Sequence, residues 1–448
     1  MNFEKVSLSI LQEALEKLED GFNDLPEIDH DVDTNALRAI LLETAERMRD
    51  NYPYQHPLYA GQMLKPPHPV ARLAYMLSLW LNPNNHALDG GRASSAMEKE
   101  AVANIAAMFG WDAHLGHLCG GGTMANMEAL WVAGRLYPGK KVVASQQAHY
   151  THNRLTEVLH IPFQAIPCDT RAKMDLNALE DVLKQGGVGT VVATLGSTAT
   201  GSVDPLPDIL DLKKRYNFHL HVDAAYGGYF FLANNLASEA RTAFDRITDA
   251  DSIVIDPHKH GLQPYGCGCV LFKDPSVGKF YKHDSPYTYF SSAELHLGEI
   301  SLECSRAGAS AVALWATQKL FPMRKGETFS QGLEKGRKAA LDLFHHFQED
   351  TRFLTALPPE LDIVIWAPQG KSASEISQRS KAFFEAAAAE NLHLAVASFP
   401  KTMFEDSWDI DWDEEQISCL RSCLMKAEHL AWVEHIWQIL NRVAVRTI

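Results

Sequence analysis

No stretch of the 448 residues approaches the roughly 20 apolar positions that a helix needs to cross a bilayer. No membrane-spanning helix is expected. The seven cysteines, at 119, 168, 267, 269, 304, 419 and 423, are odd in number and scattered, and they include no CxxC pair. That leaves out a zinc ribbon, a paired redox motif and a disulfide framework, and predicts reduced thiols in a cytoplasmic protein. Basic charge is also short. Forty-one Lys plus Arg stand against 56 Asp plus Glu, a formal charge of −15, and no basic run could track a phosphate backbone. Neither nucleic acid nor membrane is an expected partner. The opening residues, MNFEKVSLSILQEALEKLED, lack the basic start, long apolar stretch and small-residue cleavage site of a signal peptide.

What is present reads as a globular chain. With 46% hydrophobic and 22% charged residues it can bury a sizeable core. Near the N-terminus, Val6, Ile10, Ala14 and Leu18 recur every four residues with acids between them, predicting an amphipathic helix. Residues 22–70, rich in Pro, His, Asp and Asn, read as an irregular arm. Ser94-Ser-Ala-Met-Glu98 has the form of a helix cap, followed by an apolar face of Val102, Ile105, Ala106 and Phe109.

Beyond it, strand-like runs at 141–145, 188–194, 218–222, 252–255 and 266–272 alternate with helical patterns at 124–136, 176–184 and 206–216. Near-continuously apolar strands separated by helices predict an α/β fold with a mostly parallel central sheet covered on both faces. In such sheets ligands bind at the carboxyl ends of the strands. After a long helix near 310–320, short strands at 361–366, 392–397 and 418–425 and a terminal helix predict a smaller C-terminal α/β domain. The expected division is an N-terminal helical arm over 1–70, a large domain over 71–330 and a small domain over 331–448.

Four stretches at predicted strand ends carry polar residues where a core would not want them. Cys119-Gly-Gly-Gly-Thr-Met-Ala-Asn126 precedes a helix, so backbone N–H groups and the Thr123 hydroxyl could hold a phosphate. It lacks the spacing of a Walker loop or of GxGxxG. His149 follows the strand at 141–145. Asp223 closes an apolar strand in His221-Val-Asp-Ala-Ala-Tyr-Gly-Gly228, where a buried carboxylate requires a cationic partner. Lys259, in Asp256-Pro-His-Lys-His-Gly261, follows another apolar strand. An amine carried into a partly desolvated pocket can add to a carbonyl. Singly, these motifs are equally a Gly-rich turn, a loop histidine, a helix cap and a surface lysine. Together they supply the phosphate cradle, ring-stacking imidazole, pyridine partner and Schiff-base amine that a pyridoxal phosphate site needs.

With these residues in hand, the sequence resembles the group II pyridoxal-phosphate-dependent amino-acid decarboxylases, the family of the aromatic-amino-acid and glutamate decarboxylases. His221-Val-Asp-Ala-Ala225 and Asp256-Pro-His-Lys259 carry the resemblance most specifically. Gly121-Gly-Thr-Met-Ala-Asn126, Ala148-His149 and Gly196-Ser-Thr-Ala-Thr-Gly-Ser-Val-Asp-Pro205 extend it, and weaker likeness runs from His56-Pro-Leu-Tyr59 to Leu420-Arg-Ser-Cys-Leu-Met425.

The resemblance implies a fold type I homodimer with pyridoxal 5′-phosphate as cofactor and the N-terminal arm in the subunit interface. Lys259 would bind the cofactor covalently, Asp223 would pair with its ring nitrogen, His149 would stack on the ring and Ala225 would pack on the other face. Thr198 would lie beside it, with Gly121, Gly122, Thr123, Asp256 and His258 at or near the phosphate. A loop tyrosine, Tyr289 ahead of Tyr287, would protonate the substrate Cα. Three departures stand out: Gly120 where relatives often have Ser, His260 where many have Trp, and the acid Asp256 beside a phosphate.

The implied reaction converts an L-amino acid to its amine and CO₂. An aromatic amino acid is the expected substrate, with Tyr59, Trp80 and Phe290 as candidates for its pocket; an acidic one is the alternative, with Arg92 or Arg306 to meet its side chain. Alternatives are a carbon–carbon lyase, an aldehyde synthase and a cofactor-binding protein without turnover. His219 and His221 share a strand face with no Cys or acid at ligand spacing, so no metal site is expected. His114 and His117 are expected to be solvated, and Cys267 and Cys269 to lie in the core.

Overall fold

The computed structural model describes residues 6–26, 32–86, 88–282 and 297–448. Seven strands form the larger sheet: β1 (Leu115–Cys119), β2 (Lys141–Ser145), β3 (Phe163–Ile166), β4 (Val188–Thr194), β5 (His219–Asp223), β6 (Ser252–Ile255) and β7 (Gly268–Phe272). Their order is β1-β7-β6-β5-β4-β2-β3. The run β6-β5-β4-β2-β3 is parallel, whereas β7 is antiparallel to both neighbours. Every residue of β5, β6 and β7 is buried, as strands covered by helices on both faces require.

Local chemistry sets the crossovers. Asp175 caps the helix Leu176–Lys184 by accepting from the Asn177 and Ala178 N–H groups. The helix Leu206–Tyr216 stops at Asn217, whose φ of 47° lies in the left-handed region that ends helices.

A second, antiparallel sheet contains β8 (Phe353–Thr355), β9 (Ile363–Pro368), β10 (Ala395–Pro400) and β11 (Gln416–Cys423), in the order β10-β11-β9-β8. It packs with the helices Thr328–Gln348, Ala373–Ala389 and His429–Thr447. Phe347 stacks on Trp366 at 4.3 Å in their shared core. The end of the arm joins this sheet, since Ala60 N–H donates to the His393 carbonyl and Ala60 O accepts from Cys423 N–H. Among the described residues, no helix is long and apolar enough to cross a membrane.

Several expectations are corrected. In the helix Val6–Glu19 the inward residue is Leu11, 6% exposed, while Ile10 is 52% exposed. The face therefore runs through Leu11, Ala14, Leu15 and Leu18, spaced three and four apart. Ser94 does not cap a helix start. The helix Leu88–Met108 is already under way, with its break at Gly91, and Ser94 Oγ donates to Asn85 Oδ1. His117 is fully buried rather than solvated, its Nε2 2.9 Å from Glu128 Oε2. Burial disfavours its protonation, but the Glu128 charge wins and raises its pKa. Cys267 and Cys269 are core residues, as expected.

Candidate active site

The carboxyl ends of the parallel strands converge because their register aligns them. Thr194, the last residue of β4, pairs with Asp223, the last of β5, which pairs with Val254 of β6. The chain then leaves β6 through a turn in which Lys259 N–H donates to Asp256 O at 2.9 Å. Pro257 holds the second position of that turn, where its fixed φ fits. The turn folds Lys259 back over the strand end, and its Nζ lies 3.1 Å from Asp256 Oδ2 with the side chain 20% exposed. Lys259 is therefore not a surface lysine.

All ten described cofactor-site candidates line one cavity of about 390 Å³, within the size range of small-molecule sites. Gly121, Gly122 and Thr123 form the start of the helix Gly122–Leu136, where the first N–H groups have no partner within the helix. Gly121 has φ +144°, a conformation few other residues adopt. A Cβ on Gly122 would sit 2.7 Å from Asp256 Oδ2. His258 Nδ1 donates to Cys267 O at 2.8 Å, and its Nε2 lies 3.5 Å from Asp256 Oδ2. Asp256 thus lies between the Lys259 amine and the His258 ring.

His149 Nδ1 accepts from the Thr151 N–H at 3.2 Å, so a neutral ring carries its proton on Nε2. Burial lowers its pKa. Thr198 O accepts from Arg421 Nη1 at 2.9 Å, and Ala225 N–H donates to Asp223 Oδ1 at 3.0 Å.

Asp223 is buried. Burial alone would push its pKa up, but the hydrogen bond and charge of His152, the Ala225 N–H and Lys259 outweigh it and hold the carboxyl well below the usual range. His152, whose Nε2 lies 2.9 Å from Asp223 Oδ2, escapes sequence reasoning. The available signal was its position three residues after His149, one helical turn along.

Tyr287, Tyr289 and Phe290 lie outside the described residues. The other substrate candidates are not at the cavity. Tyr59 is buried among Tyr52, Tyr54 and His393, and Trp80 is exposed elsewhere. The aromatic residues at the cavity mouth are Tyr150, 70% exposed, and Tyr265, 56% exposed. Arg306 is committed to Glu98 at 2.9 Å, and Arg92 is exposed away from the cavity. The cation beside Thr198 is instead the buried Arg421, which sequence reasoning passed over.

These residues fit a phosphorylated pyridine aldehyde. Helix-start N–H groups suit the phosphate, an ionised buried carboxylate suits a ring cation and an inward lysine suits the aldehyde. Thr194 Oγ1 and Asp256 Oδ1 are buried with no partner among the described residues, leaving polar capacity for a ligand. Such a site at the strand ends of this sheet defines a pyridoxal-phosphate enzyme of fold type I.

Residues 131–367 match the pyridoxal-dependent decarboxylase conserved domain, and the chain belongs to that family of carboxy-lyases acting on amino acids with pyridoxal 5′-phosphate. It is 25% identical to an L-tyrosine decarboxylase of Enterococcus faecium over 75% of this chain and 73% of the relative. It is 29% identical to an L-aspartate decarboxylase of Thermococcus kodakarensis over 62% of this chain and 72% of the relative. The structure of Oryza sativa TDC with PLP and tryptamine superposes with a TM-score of 0.78 at 17% identity, covering 99% of both chains.

Proposed function

We propose that this chain decarboxylates an aromatic L-amino acid, with Lys259 carrying the cofactor and Asp223 facing its ring nitrogen. The observation that carries this reading is the single cavity joining Lys259, Asp223, His149 and the glycine-rich helix start. When bound, the cofactor supplies an electron sink for the pair left behind as CO₂ departs. The chain's own residues do the rest. Gly121, Gly122 and Thr123 hold the phosphate with His258 and Asp256 nearby, and Thr198 lies beside the cofactor. His149 and Ala225 pack on the ring. Asp223 keeps the proton on the ring nitrogen, because a nearby anion favours the protonated form. Tyr289, with Tyr287 as the alternative, delivers a proton to the substrate Cα.

The exposed rings of Tyr150 and Tyr265 at the mouth, together with the tyrosine-acting relative, favour an aromatic substrate. The second reading is an acidic substrate. Arg421 Nε is buried without a partner among the described residues, and one relative acts on aspartate.

The same proposal includes a homodimer. The helix Thr34–Met48 buries no residue and exposes Leu37, Ile40, Leu41 and Leu42, an apolar surface that suits a second copy. All seven cysteines are unpaired, which suits the reducing cytoplasm. The working domain division remains 1–70, 71–330 and 331–448.

The test is CO₂ release from a panel of the twenty amino acids, with products identified. Amine formed fastest from tyrosine, phenylalanine or tryptophan is expected. Turnover of aspartate or glutamate alone selects the second reading, aldehyde with ammonia indicates an aldehyde synthase, and no CO₂ from any amino acid rejects the proposal.

A further inference from the structure

His152 is fully buried on the helix Thr151–Val158, which follows β2. One ring nitrogen, Nε2, meets Asp223 Oδ2 at 2.9 Å, and the other, Nδ1, is buried with no partner among the described residues. Filling space alone would be done better by an apolar ring, which strands no polar atom. A carboxylate only accepts, so Nε2 carries the proton and donates it.

A second line of donors reaches the same oxygen. Asn126 Nδ2 donates to Asp223 Oδ2 at 3.4 Å, which turns Asn126 Oδ1 toward His221 Nε2 at 2.8 Å. His221 must therefore donate through Nε2 and accept at Nδ1 from the Ser252 hydroxyl, 2.8 Å away. Ser252 Oγ is then left to accept from His219 Nε2 at 2.9 Å. Every donor in this buried file points toward Asp223, so Asn126, His221, Ser252 and His219 each have one allowed orientation. Of the two lines ending at Oδ2, only His152 donates directly from an imidazole.

We propose that His152 is a positioning residue: its Nε2–H fixes the Asp223 carboxylate and weakens it as a base, so that a proton shared with the cofactor's ring nitrogen stays on the nitrogen. A shared proton settles on the stronger base, and each hydrogen bond donated to a carboxylate lowers its basicity. Without His152, burial would drive Asp223 toward its neutral form. Its neighbours His149, His221 and Lys259 would not replace the lost donor: Lys259 is engaged with Asp256, His221 with Asn126 and Ser252, and His149 with Thr151. The proposal rests on Asp223 facing the ring nitrogen.

The test compares His152→Phe, His152→Gln and Asp223→Asn as holoenzymes, reading kcat, KM, cofactor affinity and the pH titration of the cofactor's absorption. His152→Phe is expected to keep cofactor bound, lose roughly ten- to a hundredfold in kcat with KM within about threefold, and shift the absorption titration toward lower pH. His152→Gln, which keeps an N–H donor, should recover to within about fivefold of wild type. Asp223→Asn should lose on the order of a thousandfold or more. A wild-type titration and kcat in His152→Phe would overturn the proposal. So would equal losses in the Phe and Gln variants, which would mean packing alone. Near-normal turnover in Asp223→Asn would instead reject the placement of Asp223 itself. Nitrogen NMR of the imidazoles in cofactor-free protein adds a check independent of turnover, since a neutral His152 protonated on Nδ1 would also overturn the proposal.

Discussion

A lysine's chemistry is set by what its amine faces, and Lys259 faces a carboxylate inside a cavity rather than water. The turn Asp256-Pro-His-Lys is short enough that the first residue's carboxylate meets the last residue's amine at 3.1 Å. That Lys259 follows an apolar strand to a ligand-binding strand end is legible in the sequence, whereas the turn that brings it against Asp256 is seen only in the structure. His152 was not legible in the same way. Its partner lies 71 residues away on a strand, and apart from its spacing to His149 nothing local marks a helical histidine as buried. Borohydride reduction followed by peptide mass mapping should find the reduced cofactor on the peptide containing Lys259, and Lys259→Ala should leave none covalently bound. A label on another lysine would refute the assignment.

Among the elements, strands β2, β4 and β6 have the bounds that their apolar runs predict, as do the helices Leu176–Lys184 and Leu206–Tyr216. Those segments are both strongly patterned and bounded by breakers. β1, Leu-Gly-His-Leu-Cys, was hidden because its glycine and histidine break the apolar run. Its histidine is tolerated inside through Glu128 at one ring nitrogen and the Leu118 carbonyl at the other. The antiparallel direction of β7 was hidden too, since it follows from the tight return after Lys259 rather than from any helical crossover. In the smaller sheet β9, β10 and β11 sit two or three residues from where hydrophobicity puts them; Ala395–Pro400 is half-exposed and carries weak periodicity, while the fully buried Ile363–Pro368 has an apolar run with no alternation to mark its ends.

The helix start at Gly122 offers the element-scale test. A methyl there would lie 2.7 Å from the Asp256 carboxylate and would push apart the two groups proposed to border the phosphate. Gly122→Ala should raise the cofactor dissociation constant about tenfold, or about 1.4 kcal/mol, while circular dichroism remains that of the wild type. Unchanged affinity would mean that this backbone does not approach the phosphate.

For the whole molecule, the buried histidines set a limit on acid tolerance. His429 accepts the Lys426 N–H at Nδ1 and donates through Nε2 to Pro57 O, tying the last helix to the arm, so a second proton would face another N–H. Burial first, and the Lys426 charge second, bring its pKa down to about 3. Burial likewise lowers His221 to about 3 and His219 to about 4, and holds His260 well below its ordinary value. All four bind protons more readily when unfolded. Their contribution to stability is present above pH ~6.5 and is lost as the pH falls from there toward 3 or 4, at up to about 1.4 kcal/mol per histidine per pH unit. Asp204 and Asp362 act oppositely. Burial raises each to about 6, so the folded state takes up their protons first and gains stability as the pH falls from 6 toward 4. His117, raised by Glu128, acts with the carboxyls, and four histidines against these three groups leave a net loss. Urea unfolding of the holoenzyme should therefore show stability lower by a few kcal/mol at pH 5.5 than at pH 7.5. Replacing His429 by Gln, which can keep the bond to Pro57 O without titrating, should narrow that difference by about 1 kcal/mol. A flat profile between the two pH values would mean that these histidines are already charged in the folded protein. The one-way hydrogen-bond file behind Asp223 would then lose its fixed direction as well.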